Sequence, residues 1–356
     1  MDAGDDGAHY IPVGYKSLKN MKAGFEGEKA DPTLIKAGVN QKLRELFGVH
    51  DQPYFKPGFT HYEAIEGGSP EIEERFKVGE RVFGAEYYLP LKERENGVWV
   101  VTQHGYGGRA RDFSKLAELL KKEGVGLLSL DMHITGKDDY ERMSMNIDEW
   151  ANVAIEARNR LRDSLKEKGK RIGKLIFVGQ SSGGSSGASL LVNGKDRHPF
   201  SGAVLIGPTL TTVHPELVES MDKIVDDVTS KEDDVMIDFG WFGPLMRQCN
   251  DEDRNFAYQA HFATLPGFPY RHAREAIAID KEKILDRIDS IDVPTILVKG
   301  KEDNEDIASI KAVAEVLSAN PNQSIHIEEE IEGAGHQAEL DKPEVIARLI
   351  EKLANS

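Results

Sequence analysis

Short apolar runs alternate with helical patterns along most of the chain, and this alternation constrains the fold more than any other feature. From about residue 85, the runs rich in Val, Ile and Leu are predicted to be strands: VWVVTQH (98–104), VGLLSLD (125–131), KLIFVG (174–179), GAVLIG (202–207), PTILVKG (294–300) and SIHIEEEI (324–331). Helical spacing is found near 111–122, 146–168 and 304–318, and from Lys342 to about Leu353. A continuously apolar strand is buried on both faces, so the chain is predicted to be an α/β protein with a mostly parallel, doubly wound sheet.

Two segments interrupt this alternation. The stretch from Pro208 to about Asp292 has helical patterns and many aromatic residues but no convincing strand. The stretch DPTLIKAGVNQKLRELFG (31–48) predicts a helix with Asp31 as its N-cap, ahead of the predicted first strand, FTHYEAIE (59–66). The predicted organisation is an N-terminal extension (1–58), an α/β core (59–208 and 293–356) and a helical cap (209–292).

The net charge and the composition of the chain exclude some classes of binding partner. The net charge of −16 repels phosphate backbones and anionic lipid, so we expect neither nucleic acid nor a membrane as a partner. A single cysteine, Cys249, excludes an intrachain disulfide framework and fits a reducing compartment. The acidic start MDAGDDGAHY is unlike a secretory signal, and no apolar run approaches the roughly 20 residues that span a bilayer. We expect a cytoplasmic protein with a small-molecule substrate; the N-terminal extension and the cap are candidate surfaces for a homodimer.

The stretch VGQSSGGSSG matches the pattern Gly-x-Ser-x-Gly twice, at 179–183 and again at 183–187. A serine hydroxyl is a weak nucleophile that needs an adjacent base and a site for the developing oxyanion, and a sharp strand-to-helix turn provides the geometry. Ser181 directly follows a predicted strand, whereas Ser185 lies about one helical turn further on. We therefore favour Ser181 over Ser185 as the nucleophile. The alternative is a small-residue helix start without chemistry.

A second glycine-rich segment, His104-Gly105-Tyr106-Gly107-Gly108, follows an earlier predicted strand. Small residues there allow backbone N–H groups to face a neighbouring strand end. The backbone N–H groups of Tyr106 and Ser182 are predicted to form an oxyanion hole. We interpret His104 as a histidine that braces this loop, in preference to a catalytic base, because a better base candidate lies near the C-terminus.

That candidate is His336, in a Gly-Ala-Gly-His loop between a strand and a helix. The acid of a triad is expected between nucleophile and base in chain order, and Asp303 lies just after a predicted strand. Glu302 and Asp306 are the alternatives. Any of these carboxylates could also be a solvated loop charge or a helix cap.

Taken together, Gly-x-Ser-x-Gly, His-Gly-x-Gly-Gly, Gly-x-x-Asp and Gly-x-Gly-His, in these positions, resemble the α/β-hydrolase fold enzymes over residues 59 to 354. The resemblance is to the branch with a serine nucleophile and an inserted helical cap. It implies Ser181 as nucleophile, Asp303 as acid and His336 as base, with Tyr106 and Ser182 as oxyanion donors. The serine argues against the haloalkane dehalogenase and epoxide hydrolase branches, which use aspartate.

One loop departs from this resemblance. Many capped members carry Asp-x-x-Gly-x-Gly-x-Ser after the fourth strand, but this chain has DMHITGKDDYERMS (131–144) with a single glycine. Asp131 and His133 in it have no further ligands at a suitable spacing, so no metal site is predicted. The expected chemistry needs no cofactor.

The predicted reaction is hydrolysis of a carboxylic ester, thioester or lactone through an acyl-enzyme. Aromatic residues of the cap favour an apolar or aromatic small molecule, although such residues can equally be ordinary cap core. Three alternatives use the same fold: a hydrolase of C–C bonds in β-diketone-like substrates, a slow-turnover receptor, and an acyltransferase.

Overall fold

The computed structural model of the 356-residue chain describes residues 68–79, 81–95, 97–105, 108, 110–132, 147–193, 199–208, 210, 284, 287–303 and 326–356. Four predicted features lie outside these residues: the helix at 31–48, the strand at 59–66, the helix at 304–318 and nearly all of the cap. They stay predictions, as do the domain boundaries.

Within the described residues, eight strands form one sheet, and six of them run parallel. The strands are β1 (Ile72–Val78), β2 (Arg81–Tyr88), β3 (Val98–Gln103), β4 (Gly126–Asp131), β5 (Lys174–Gln180), β6 (Gly202–Ile206), β7 (Thr295–Gly300) and β8 (His326–Ile331). Their spatial order is β1-β2-β4-β3-β5-β6-β7-β8. The mostly parallel sheet predicted from the sequence is confirmed.

Helices cover both faces of this sheet. They are α1 (Ser114–Lys122), α2 (Ile147–Glu167), α3 (Ser182–Val192), α4 (Ala338–Asp341) and α5 (Pro343–Asn355). Alternate residues of β5 enter two separate apolar clusters: Phe177 packs with residues of α2 and α3, and Val178 packs with residues of α1 and α5. Burial of both faces explains why the central strands are continuously apolar.

The antiparallel hairpin of β1 and β2 was not among the predicted strands. In β1, IEERFKV, only Phe76 is buried, so the edge strand carries too few apolar residues to stand out. In β2 a buried carboxylate, Glu86, interrupts the apolar pattern. β2 joins the parallel strands by pairing antiparallel with β4.

The parallel arrangement positions the candidate site. β3 pairs parallel with β5, and β6 runs parallel to both β5 and β7. The carboxyl ends of β3, β5 and β7 therefore lie at the same edge of the sheet. Ligand sites of open α/β sheets lie at such an edge. None of the described helices is both long enough and apolar enough to cross a bilayer.

Candidate active site

Ser181 lies at the turn between β5 and α3, in a strained backbone conformation with φ of 52° and ψ of −118°. Among the described residues it is the only one other than glycine with positive φ. Such a conformation costs on the order of 1–3 kcal/mol and is tolerated where the surrounding structure holds it. The Ser181 N–H donates to the carbonyl of Ile206 at 2.8 Å, which anchors the turn to the end of β6.

Two glycines allow this turn to close. A Cβ atom at Gly179 would overlap the carbonyl of Gly183, and a Cβ at Gly183 would overlap the carbonyl of Gln103 on β3. The two glycines of the Gly-x-Ser-x-Gly pattern therefore have a direct steric basis. By contrast, Ser185 is fully buried in α3, where its N–H donates to the Ser181 carbonyl at 2.9 Å as part of the helix.

His336 and Asp303 form a buried pair at the same edge of the sheet. His336 Nδ1 lies 2.9 Å from Asp303 Oδ2, and both side chains are almost completely excluded from solvent. With the carboxylate as acceptor, the Nδ1 nitrogen carries the proton of the neutral imidazole. His336 Nε2 is buried and has no hydrogen-bond partner among the described residues. This nitrogen therefore has a lone pair available to accept a proton.

The alternative acids differ from Asp303 in their placement. The Glu302 side chain is exposed, and only its backbone contributes, since its N–H donates to the Ala334 carbonyl at 2.9 Å. That bond ties the loop after β7 to the loop that carries His336. Asp306 lies outside the described residues.

His104 has a different arrangement, in which both ring nitrogens are bonded to the backbone. Nε2 accepts a hydrogen bond from the N–H of Met132 at 2.9 Å, so Nδ1 must carry the proton that it donates to the Gly105 carbonyl at 2.6 Å. The nearest carboxylate oxygen, Asp131 Oδ1, is 3.6 Å from Nε2. This geometry agrees with the interpretation of His104 as a brace for the loop.

The two predicted oxyanion donors are only partly described. Ser182 is the first residue of α3, and the first N–H groups of a helix have no intrahelical acceptor and lie at its positive end. Tyr106 lies outside the described residues, so its role stays a prediction. Gly105 immediately before it is described, and a Cβ atom at this position would overlap the Cβ of Ser181.

Gln180, the residue before the serine, was not singled out by the sequence analysis. Its Oε1 accepts a hydrogen bond from the Gly105 N–H at 2.9 Å, and its Nε2 donates to the His336 carbonyl at 3.2 Å. The one feature of the sequence that could have pointed to Gln180 is its position as a polar residue at the end of a buried, apolar strand.

Buried carboxyl groups behind the His336 loop were also missed. Glu339 is buried, and this burial, together with the nearby carboxylates of Asp112 and Asp341, raises the pKa of Glu339 well above its usual value. Asp341 Oδ2 accepts a hydrogen bond from the Gly335 N–H at 2.8 Å. Within the part of the chain that the structure describes, no group of three His, Cys, Asp or Glu side chains could hold a metal ion. His133 lies outside it.

Solved structures with this fold include several hydrolases. An esterase from Exiguobacterium antarcticum has 17% identity and a TM-score of 0.58, and the match covers 80% of this chain and 100% of the esterase. A soluble variant of monoglyceride lipase from Saccharomyces cerevisiae has 14% identity and a TM-score of 0.58, over 81% and 96% of the two chains. Proline iminopeptidase from Mycobacterium smegmatis has 14% identity and a TM-score of 0.54, over 79% and 98%. At such identities the likeness shows the fold alone.

A family model matches the sequence itself over residues 95–343, which is more than half of the chain. Its description is "Serine aminopeptidase, S33". The match spans the strained serine turn, Asp303 and His336. The chain therefore belongs to the serine aminopeptidase S33 family of α/β-hydrolases.

Proposed function

We propose that this hydrolase uses Ser181 as a nucleophile and cleaves a carboxylic ester, thioester or lactone through an acyl-enzyme. The observation that supports this most is the His336 imidazole: its Nδ1 is held by Asp303, and its buried Nε2 has no partner among the described residues. A strained serine at the end of β5 supplies the matching nucleophile.

In the proposed reaction, His336 Nε2 takes the proton of the Ser181 hydroxyl while Oγ attacks the substrate carbonyl carbon. The carbonyl oxygen becomes an oxyanion, which accepts hydrogen bonds from the N–H groups of Ser182 and Tyr106. The intermediate collapses, the bond to the leaving oxygen or sulfur breaks, and Nε2–H protonates the leaving group. Water then attacks the acyl-enzyme by the same steps, which releases the acid and restores Ser181.

Asp303 has a positional and an electrostatic role in this scheme. Its Oδ2 accepts a hydrogen bond from Nδ1–H, so the imidazole keeps the tautomer in which Nε2 is basic. When Nε2 gains the serine proton, the imidazolium is stabilised by the adjacent carboxylate. Both groups are buried, so little solvent weakens this attraction.

The nature of the acyl group is inferred from the sequence. The predicted cap, 209–292, contains aromatic residues such as Trp241, Phe242 and Phe268, which favour an apolar or aromatic substrate. The family description favours a second candidate, an aminopeptidase that cleaves an N-terminal amide bond. Both reactions use the same three side chains, and they differ in the leaving group that Nε2–H must protonate.

The test compares Ser181→Ala with the matched variant Ser185→Ala, in which the equivalent serine of the second Gly-x-Ser-x-Gly repeat is changed. Turnover is measured on p-nitrophenyl esters of increasing acyl length and on aminoacyl p-nitroanilides. We expect Ser181→Ala to lose about 10⁶-fold in kcat, whereas Ser185→Ala keeps most of it.

Labelling by a fluorophosphonate probe, located by peptide mass spectrometry, identifies the nucleophile independently of the substrate. Wild-type rates in Ser181→Ala, or a label on a residue other than Ser181, would contradict the proposal. Faster turnover of the anilides than of the esters would favour the aminopeptidase. Labelling without turnover of either series would favour a receptor.

A further inference from the structure

The side chain of Gln180 connects two loops of the candidate site that are far apart in the sequence. Its amide oxygen accepts from the N–H of Gly105, in the glycine-rich loop after β3. Its amide nitrogen donates to the backbone carbonyl of His336. The residue is 3% exposed and directly precedes Ser181, so one side chain joins the nucleophile's own segment to both loops.

Both neighbours are satisfied only by a side chain that accepts at one end and donates at the other, which a carboxamide does at every pH. The Gly105 N–H can only donate and the His336 carbonyl can only accept, so the orientation of the amide follows from these two partners. An ionised carboxylate of the same shape would accept at both ends and would face the His336 carbonyl without a proton between them. An apolar side chain would leave a buried donor and a buried acceptor unpaired, which is costly in the interior.

The neighbouring backbone is shaped around this contact. A Cβ atom at Gly105 would overlap both Oε1 of Gln180 and the Cβ of Ser181. A glycine at position 105 therefore lets the loop approach the amide closely. The hydrogen bond holds the backbone directly before Tyr106, whose N–H is the predicted oxyanion donor.

We propose that Gln180 is a positioning residue that holds the oxyanion loop and the base His336 in register with Ser181. This inference rests on the proposed function, because it assigns Gln180 a role in the reactivity of Ser181. Gln180 does not touch the reacting atoms. It acts through the backbone of the two loops, where a displacement of about 1 Å can lower the rate about 100-fold.

The test measures the rate constant for fluorophosphonate labelling of Ser181 across pH, in wild type and in Gln180→Glu. When protonated, the glutamic acid can donate to the His336 carbonyl and accept from Gly105, so labelling stays close to wild type. Once it ionises, the donor is lost, and we expect a fall of about 100-fold. The wild-type rate rises to a plateau with pH, whereas the variant rate rises and then falls.

Gln180→Met is neutral at every pH and removes both hydrogen bonds. We expect its labelling rate to be lowered at all pH values without an alkaline decline. If Gln180→Glu does not fold at high pH, the labelling rate of Gln180→Met still tests the proposal. Near-ultraviolet circular dichroism and thermal unfolding establish the folded fraction to which each rate refers.

Gln103→Met is the matched control. Gln103 is a fully buried glutamine on β3, paired in register with Gly179, but its amide contacts Trp150, Met132 and Ser186. We expect a comparable loss of stability in this variant, with the wild-type pH profile of labelling. The comparison separates a positioning role from the general cost of removing a buried amide.

The possible failures are distinguishable. If the wild type is labelled at Ser181 and Gln180→Glu has the same rate and pH profile, the inference is overturned and the proposed function stands. If Gln103→Met and Gln180→Met lower the labelling rate equally, Gln180 is a structural residue only. If the folded wild type is not labelled at Ser181, the proposed function fails, and the role of Gln180 fails with it.

Discussion

His336 and His104 are both buried at the same end of the sheet, and each has a carboxylate nearby, yet their surroundings prepare them for different tasks. His336 Nδ1 is 2.9 Å from Asp303, and its Nε2 has no partner in the described part of the chain. His104 uses Nδ1 on the Gly105 carbonyl and Nε2 on the Met132 N–H, with Asp131 at 3.6 Å. A proton can be accepted at Nε2 of His336, whereas at His104 that nitrogen is already occupied.

The comparison teaches that burial beside a carboxylate does not by itself make a general base. What matters is which nitrogen the carboxylate contacts and what the second nitrogen binds. At His336 the carboxylate of Asp303 holds Nδ1, and Nε2 has no partner in the described part of the chain. The environment of His104 is made by backbone groups, which join the glycine-rich loop to the end of β4.

The largest effect is expected for His336→Gln. Without a base at Nε2, Ser181 keeps its proton, and kcat should fall by about 10⁶-fold. Because the glutamine side chain fills much of the same space, we expect the midpoint temperature of thermal unfolding to stay close to that of the wild type. Steady-state kinetics on p-nitrophenyl esters and calorimetry measure the two quantities. If the variant keeps most of the wild-type kcat, His336 is not the base, and the proposed difference between the two histidines is wrong.

Asp303→Asn tests the carboxylate side of the same pair. The amide can donate a hydrogen bond to Nδ1, which favours the wrong imidazole tautomer, so kcat should fall by about 10⁴-fold. Glu302→Gln is the control, because that neighbouring carboxylate is exposed. Equal losses in the two variants would contradict the assignment of Asp303 as the acid.

His104→Leu should have the opposite profile to His336→Gln. It leaves the Met132 N–H and the Gly105 carbonyl without their partners, which should lower the free energy of unfolding by about 2–4 kcal/mol. Turnover per folded molecule should fall much less than in His336→Gln. Chemical denaturation followed by kinetics on the folded fraction measures both. If His104→Leu is as stable as the wild type but has no turnover, His104 takes part in catalysis and is not a structural brace.

The smallest effect concerns the pH dependence of stability that comes from Glu86, whose carboxyl group interacts with Asp131, the neighbour of His104. Burial raises the pKa of Glu86 from its ordinary value of 4.5 to about 7, although the nearby Arg111 guanidinium lowers it in part; Asp131 adds to the rise. A raised pKa means that the folded state holds the proton more tightly. The stability from this group is therefore complete below about pH 4.5 and is lost as pH rises through about 7.

Glu86→Gln removes that titration. Between pH 4.5 and 7 the wild type should lose up to about 3 kcal/mol of unfolding free energy that the variant does not lose. Urea unfolding at several pH values measures this difference. Parallel pH profiles for the two proteins would contradict the raised pKa of Glu86.

The parallel core was predictable because its signals are local. Runs such as KLIFVG are continuously apolar only where both faces are covered, and the turn at Ser181 needs glycines at fixed spacing for steric reasons. The β1–β2 hairpin was missed because β1 is charged and mostly exposed, whereas the buried Glu86 interrupts the apolar pattern of β2. Edge strands carry a weaker apolar pattern than central ones.

The sequence by itself determined the fold class and the order of the candidate nucleophile, acid and base, since strand periodicity, turn sterics and chain order are properties of short segments. Only the tertiary structure decided which histidine has an available nitrogen and which groups Gln180 contacts. The partners of Gln180 lie 75 and 156 residues away along the chain. Hydrogen bonding and burial at such distances depend on how the sheet brings loops together, and these contacts make one buried histidine a candidate base and the other a structural brace.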